Sequence, residues 1–458
     1  MSGRWLAVVC ALGLGIVPAL ALAADAGSAV IDGGRFGLVR LTEPATPDDM
    51  RGLVILFSDH GAAAIDDEAA ATLAAAGALV VEVDTDTYLA NLDAQADKCF
   101  KLGGDIEGLS QRLQHDRAYA TYRSPILAGV GVGGALAEVA LAQVPTATYA
   151  GAVALDPVTV ILTERPLCPG APPSAVPGGF TYGASKDLHG FWSVGLTDAA
   201  TKPMRAHLAL LAQGGTPMEL QDLPGKPVSA ATLADLVLER LDKLEAGVSG
   251  LDALPLVELP VGKPSDLMAI VLSGDGGWRD LDKTIAENLQ QEGVPTVGWD
   301  SLRYFWSKKT PDETAQALAL VMKSYMSRWH ATKIALIGYS FGADVLPFAY
   351  NRLPTDLRSH VTLMALLGFA RDADFEVSMT GWLGAAASDD ALPVKPEIAK
   401  VPPALVQCFY GAEEDDTMCP GLAADGVEQI KTTGGHHFDG DYAKLARRIL
   451  SGLRKRAG

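Results

Sequence analysis

The sequence predicts two consecutive α/β domains, each a mostly parallel sheet flanked by helices. Three observations predict it: apolar, strand-like runs alternate with helical stretches, the same plan occurs twice, and each copy holds a strand, a tight glycine turn and a helix in succession. In the first copy Leu53 to Phe57 leads into Ser58-Asp59-His60-Gly61. In the second, Met268 to Leu272 leads into Ser273-Gly274-Asp275-Gly276-Gly277. Each reads as a buried strand ending in a polar, glycine-containing loop. A second strand ends in an acid and then an aromatic residue in both copies: Val80 to Asp84 with Tyr88, and Pro295 to Asp300 with Tyr304, at equal spacing. Next come Ile126 to Gly133 followed by a helix from Ala135 to Ala142, and Ile334 to Gly342 followed by a helix from Ala343 to Tyr350. The strands Gly151 to Leu155 and Val361 to Leu367 close the shared plan. Continuous rather than alternating apolar runs indicate strands buried on both faces, as in parallel sheets covered by helices.

At 458 residues, with 48% hydrophobic and 20% charged side chains, the chain is too apolar to be disordered and long enough for two full cores. The domain boundary is expected between Glu245 and Asp252, after a helical run Ala230 to Leu244. This gives a leader over residues 1–23, a first domain over 24–247 and a second over 248–458. The net charge of −18 argues against nucleic acid or anionic lipid bound through a basic surface, because phosphate contacts need clustered Lys and Arg.

The first 23 residues have the form of a cleaved secretory signal. Arg4 supplies the positive charge, Trp5 to Ala23 an apolar stretch broken by Pro18, and Ala21 and Ala23 the small residues before the cut. An uncleaved anchor is the competing reading, and no later segment is apolar enough to span a membrane. Export would leave four cysteines, Cys99, Cys168, Cys408 and Cys419, one pair in each half, with Cys408 and Cys419 closing a short loop. No zinc-ligand spacing is present, and no cofactor is expected.

Gly338-Tyr339-Ser340-Phe341-Gly342 is a Gly-x-Ser-x-Gly turn between a strand and a helix. That context presents a serine hydroxyl at a sheet edge and makes Ser340 the candidate nucleophile. A serine needs a base and an orienting carboxylate, which follow in the order acid then histidine on α/β-hydrolase-like domains. The strand-like Ala404 to Tyr410 runs into an acidic loop, where Asp416 is the expected acid and Asp415 the alternative. His436 is the expected base, with His437 the alternative. Oxyanion donors are expected from the backbone N–H of Phe341 and from that of Asp275 or Gly276. A Cys408–Cys419 bond would staple the acidic loop. The first half carries Gly131 at the nucleophile position and no histidine in the segment from Gln213 to Glu245 after Ala206 to Ala212, so it reads as a degenerate, non-catalytic copy. His60, His115, His189 and His207 are expected to be surface or core residues.

Leu272 to Trp278, Gly338 to Asp344, Asp415 to Pro420 and Gly434 to Tyr442 together resemble the bacterial virulence proteins AcvB and VirJ. The second half resembles the short VirJ form, and the whole chain the long, two-domain AcvB form. The resemblance implies a periplasmic serine hydrolase that releases the amino acid, usually lysine, from aminoacyl-phosphatidylglycerol. Ser340 would be the nucleophile, Asp416 the acid and His436 or His437 the base. Its partner would be an aminoacylated phospholipid headgroup at the membrane surface. Asp275, Trp278, Asp280, Asp282, Glu413 and Glu414 are candidate contacts to the cationic headgroup. An exported esterase or lipase of general specificity is one alternative. A non-catalytic periplasmic chaperone or adaptor in virulence-factor export is the other.

Overall fold

The computed structural model describes residues 28–46, 50–58, 63–245, 250–378 and 388–458. The leader, His60 and the core of the boundary segment lie outside the described residues.

The first half contributes strands β1 (Ser28–Asp32), β2 (Leu38–Thr42), β3 (Gly52–Ser58), β4 (Ala78–Asp84), β5 (Ile126–Val130), β6 (Gly151–Leu155), a β7–β8 hairpin (Pro173–Val176, Gly179–Tyr182), β9 (Phe191–Leu196) and β10 (Glu219–Asp222). Its main sheet has the order β1-β2-β4-β3-β5-β6-β9-β10, parallel except where β2 pairs with β1 and β4. The second half contributes β11 (Leu256–Leu259), β12 (Leu267–Leu272), β13 (Thr296–Trp299), β14 (Lys333–Tyr339), β15 (Val361–Leu367), a β16–β17 pair (Asp372–Ala373, Leu392–Pro393), β18 (Val406–Gly411) and β19 (Glu428–Thr432). Its order is β11-β13-β12-β14-β15-β18-β19, with only β11 antiparallel. Apart from β1, the two sheets correspond strand for strand, in the arrangement of α/β hydrolases.

The central strands are buried along nearly their whole length because helices cover both faces. That is why β3 and β12 are continuous apolar runs rather than alternating ones. The repeated acid-to-tyrosine spacing also has a local cause. Asp84 accepts from Thr87 N and Asp300 from Arg303 N, so each acid caps the helix that follows its strand. The long helix Pro311–Trp329 opens with a capping box between Thr310 and Glu313 and ends at His330 in a left-handed conformation.

One detail differs from the sequence reading: the helices after the glycine turns begin at Gly131 and Phe341, inside the motif itself. The first-half counterpart of β18 is Phe191–Leu196, and Ala206 to Ala212 belongs to the helix Lys202–Gln213. The loop after β10 still has no histidine.

Cys99 is bonded to Cys168 and Cys408 to Cys419. The two halves are in contact. Trp306 donates its indole N–H to Tyr119 O at 2.8 Å and packs against Tyr122, while the His115 ring meets it edge-on.

Candidate active site

The strand-to-helix turn at Ser340 is forced by its glycines. A Cβ on Gly342 would lie 2.5 Å from Leu272 O, and one on Gly338 would lie 2.4 Å from Gly342 O. The backbone therefore passes close to β12, and Ser340 takes φ 51° and ψ −121°. A left-handed φ in a non-glycine residue costs on the order of 1–3 kcal/mol and persists only where the surroundings impose it. Here Ser340 N donates to Leu367 O and Ser340 O accepts from Ala343 N, which fixes the turn.

His436 Nε2 lies 2.8 Å from Ser340 Oγ, and His436 Nδ1 lies 2.6 Å from Glu414 Oε1. A carboxylate can only accept, so Nδ1 carries the imidazole proton and the Nε2 lone pair faces the serine hydroxyl. The structure thus corrects the expected acid: Glu414 meets the imidazole, and Asp416 does not. Asp416 is 79% exposed and pairs with Arg371 at 3.1 Å, and Asp415 is likewise exposed.

The reason lies in how the chain leaves β18. Gly411 sits against the backbone of Gly434 and Gly435, where a Cβ would come within 2.1 Å of Gly435 O. Glu413 N bonds Gly434 O, and Glu414 folds back so that Gly411 N donates to its Oε2. Thr417 Oγ1 and Met418 N then bond Phe369 O, which carries Asp416 outward. The Cys408–Cys419 bond closes this same loop. Glu414 is the acid of this loop whose carboxylate bonds the histidine. Its position three residues past the end of β18 was the available signal.

Gly368, which the sequence reading did not single out, forms the floor beneath the pair. At φ +61°, a Cβ there would lie 2.7 Å from His436 Cε1 and 3.0 Å from Nδ1. His437 points elsewhere and bonds Tyr339 Oη at 2.9 Å.

The Phe341 N–H opens the helix Phe341–Arg352, where backbone donors have no intrahelical acceptor. Opposite it runs the turn 274–277, closed by Gly277 N to Gly274 O at 3.1 Å. A Cβ on Gly274 would stand 3.6 Å from Ser340 Cβ. The turn is anchored by Ser301, which bonds both Ser273 Oγ and Ser273 O. These positions suit the oxyanion donors expected from Phe341, Asp275 and Gly276.

The site opens into a cleft of about 2040 Å3 bounded by both halves of the chain. Fourteen of its lining residues are Asp or Glu and three are Lys or Arg, so its field favours cations. Asp275, Asp280 and Glu413 line it, as the sequence suggested. Asp282 and Glu414 line it too but are held by the protein itself, and Trp278 does not line it. The Trp278 ring is buried on Gly298, where a Cβ would lie 2.3 Å from it, and serves the core. Asp282 is 2% exposed in the first turn of the helix Asp280–Gln291, and burial holds its carboxyl well above the usual range. Glu414 is engaged by His436. Asp344 adds a buried acid to the wall: it accepts from Ala370 N, and burial pushes its carboxyl up. Among the described residues no group of three or more His, Cys, Asp or Glu is placed to hold a metal ion.

The corresponding point in the first half keeps the backbone without the chemistry. Gly131 has φ +56°, close to that of Ser340, and a Cβ on Gly133 would lie 1.9 Å from Phe57 O. At the ends of β6 and β9, Asp156 accepts from Thr197 N and Thr197 Oγ1, where the second half carries Gly368 and the acidic loop.

Solved structures similar to this chain include the esterase Est1E from Butyrivibrio proteoclasticus, at 13% identity and TM-score 0.31 over 43% of this chain and 90% of that one. The esterase domain of a Rhodothermus marinus protein is similar at 13% identity and TM-score 0.32, over 44% and 92%. A putative carboxylesterase from Lactobacillus plantarum is similar at 15% identity and TM-score 0.31, over 44% and 87%. No curated protein matches the chain. Residues 266–457, the segment that holds Ser340, Glu414 and His436, match the family model described as bacterial virulence protein (VirJ).

Proposed function

We propose that the protein is a periplasmic serine hydrolase that cleaves the aminoacyl ester of lysyl-phosphatidylglycerol. The observation that carries the reading is the hydrogen-bonded line Glu414–His436–Ser340 at the foot of an open, acid-lined cleft. Ser340 Oγ attacks the ester carbonyl as His436 Nε2 takes its proton, and Glu414 holds the resulting imidazolium. The carbonyl oxygen, now negative, is met by the backbone N–H of Phe341 and of the 274–277 turn. His436 returns the proton to the leaving glycerol oxygen, freeing phosphatidylglycerol and leaving the aminoacyl group on Ser340. Water activated by His436 then releases the amino acid and restores the serine.

The acid lining supports the substrate class. A lysyl group carries two ammonium charges that such a cleft attracts, whereas a neutral acyl ester gains nothing from it. The two disulfides support an oxidising compartment. No helix among the described residues is long and apolar enough to cross a membrane, so the headgroup would be met at the bilayer surface.

The test is to incubate the full chain and Ser340→Ala with lysyl-phosphatidylglycerol, phosphatidylglycerol and p-nitrophenyl acetate, and to analyse lipids and released lysine. Loss of the lysyl lipid with wild type alone is expected. Equal turnover by Ser340→Ala would overturn the serine mechanism, cleavage confined to p-nitrophenyl acetate would make the protein a general esterase, and no turnover of any ester would favour the adaptor reading.

A further inference from the structure

We infer that the degenerate first domain supplies Glu107 as a positioning residue for the second domain's oxyanion turn, acting through Arg279. This rests on the hydrolase reading above. Glu107 lies on the helix Gly103–Asp116 of the first half, with its side chain 11% exposed, and its Oε2 is 2.8 Å from Arg279 Nη2 of the second half. Gln111 Nε2 donates to the other oxygen at 3.1 Å and fixes the carboxylate from within its own helix. Arg279 in turn donates from Nε to Gly276 O at 2.8 Å.

The peptide unit between Gly276 and Gly277 is thereby held at both ends: its N–H donates to Gly274 O and its C=O accepts from Arg279. With that unit fixed, the N–H groups of Asp275 and Gly276 in the middle of the turn have a set direction. Glycines at 274, 276 and 277 leave the turn little stiffness of its own, so its geometry depends on such external bonds. The guanidinium is suited to the task, since its planar fork holds a carboxylate with one nitrogen and a carbonyl with another. The first domain thus keeps part of the catalytic geometry without keeping a nucleophile. Its contribution reaches the reaction across the domain contact made by Trp306, Tyr119 and Tyr122.

The experiment compares full-length wild type, Glu107→Ala, Glu107→Gln, Arg279→Ala and the Glu107→Ala/Arg279→Ala double variant. It measures turnover of lysyl-phosphatidylglycerol and p-nitrophenyl acetate, affinity for a boronic acid that forms a tetrahedral adduct on Ser340, and thermal melting. Removing an oxyanion donor outright costs roughly 10²- to 10³-fold in kcat, so loosening one is expected to cost about tenfold to a hundredfold. KM should stay within about twofold, boronate affinity should fall in step with kcat, and Glu107→Gln should recover part of the loss. The double variant should be no slower than Arg279→Ala, because Glu107 acts only through Arg279. A folded Glu107→Ala with wild-type kcat and boronate affinity would overturn the inference, as would additive losses in the double variant. If wild type itself shows no turnover that depends on Ser340, the hydrolase reading has failed instead.

Discussion

Replacing Glu414 tests the site most directly, because the sequence alone favours a different acid. Glu414→Gln keeps the side-chain volume and removes the negative charge that faces His436 Nδ1 at 2.6 Å. The Glu414 side chain is 7% exposed and that of His436 42%, so water shields the imidazole side of the pair but little of the carboxylate. Two unit charges about 4 Å apart attract by about 4 kcal/mol at an effective dielectric near 20. If that attraction acts mainly on the imidazolium of the transition state, it corresponds to a rate factor of roughly 10³. The amide also presents an N–H that can hold the wrong imidazole tautomer, an effect that brings losses in such triads to about 10⁴. The expected fall in kcat is therefore roughly 10³- to 10⁴-fold, with KM little changed and the melting temperature retained. Asp416→Ala removes only an exposed pair with Arg371 and should leave kcat within about twofold. Steady-state kinetics on p-nitrophenyl acetate and lysyl-phosphatidylglycerol read both. A Glu414→Gln enzyme with near wild-type kcat beside an Asp416→Ala enzyme slowed several hundredfold would refute the assignment.

Gly368→Ala puts a Cβ 2.7 Å from His436 Cε1 and should displace the ring, lowering kcat about 10²-fold while the protein still folds; unchanged kinetics would show that the floor is not needed. Replacing Cys408 and Cys419 by serine opens a loop of eleven residues' separation and should cost about 3 kcal/mol of stability in urea titrations, a difference that should vanish when both proteins are compared after reduction. Glu138 is buried in the helix Gly131–Leu141, and burial alone pushes its carboxyl from 4.5 up to about 8. Its folded form then keeps a proton that the unfolded chain has released. The stability this group contributes is complete below about pH 4.5 and is lost as pH rises towards 8, by at most about 1.4 kcal/mol per pH unit. Glu138→Gln should flatten the dependence of melting temperature on pH across that window, and parallel curves for the two proteins would contradict it.

Much of the fold was legible because buried parallel strands leave continuous apolar runs, and the run, glycine turn and helix occur twice in register. Ser340 was legible for a local reason: Gly338 and Gly342 are required where the turn touches β12, and that requirement is written within five residues. His436 followed from its place in chain order after the last strand. Trp278 was misread because an aromatic beside a glycine loop resembles a ligand contact, whereas its ring fills the space left by Gly298, twenty residues away. Asp282 was expected on a loop, whereas it lies in the first turn of the helix Asp280–Gln291, whose phase turns it inward.

The sequence by itself determined the duplicated architecture, the Gly-x-Ser-x-Gly turn that presents Ser340, the histidine loop and the glycine at the corresponding point of the first copy. Each of these depends on spacing within one stretch of chain. Only the tertiary structure decided which of four consecutive acids meets His436, because that choice is made by the packing of Gly411 against Gly434 and Gly435 and by Thr417 turning back onto Phe369. It also decided that Glu107 reaches Arg279 from the other half of the chain. Contacts between residues this far apart in sequence depend on how the two sheets are set against one another, and no local pattern encodes that.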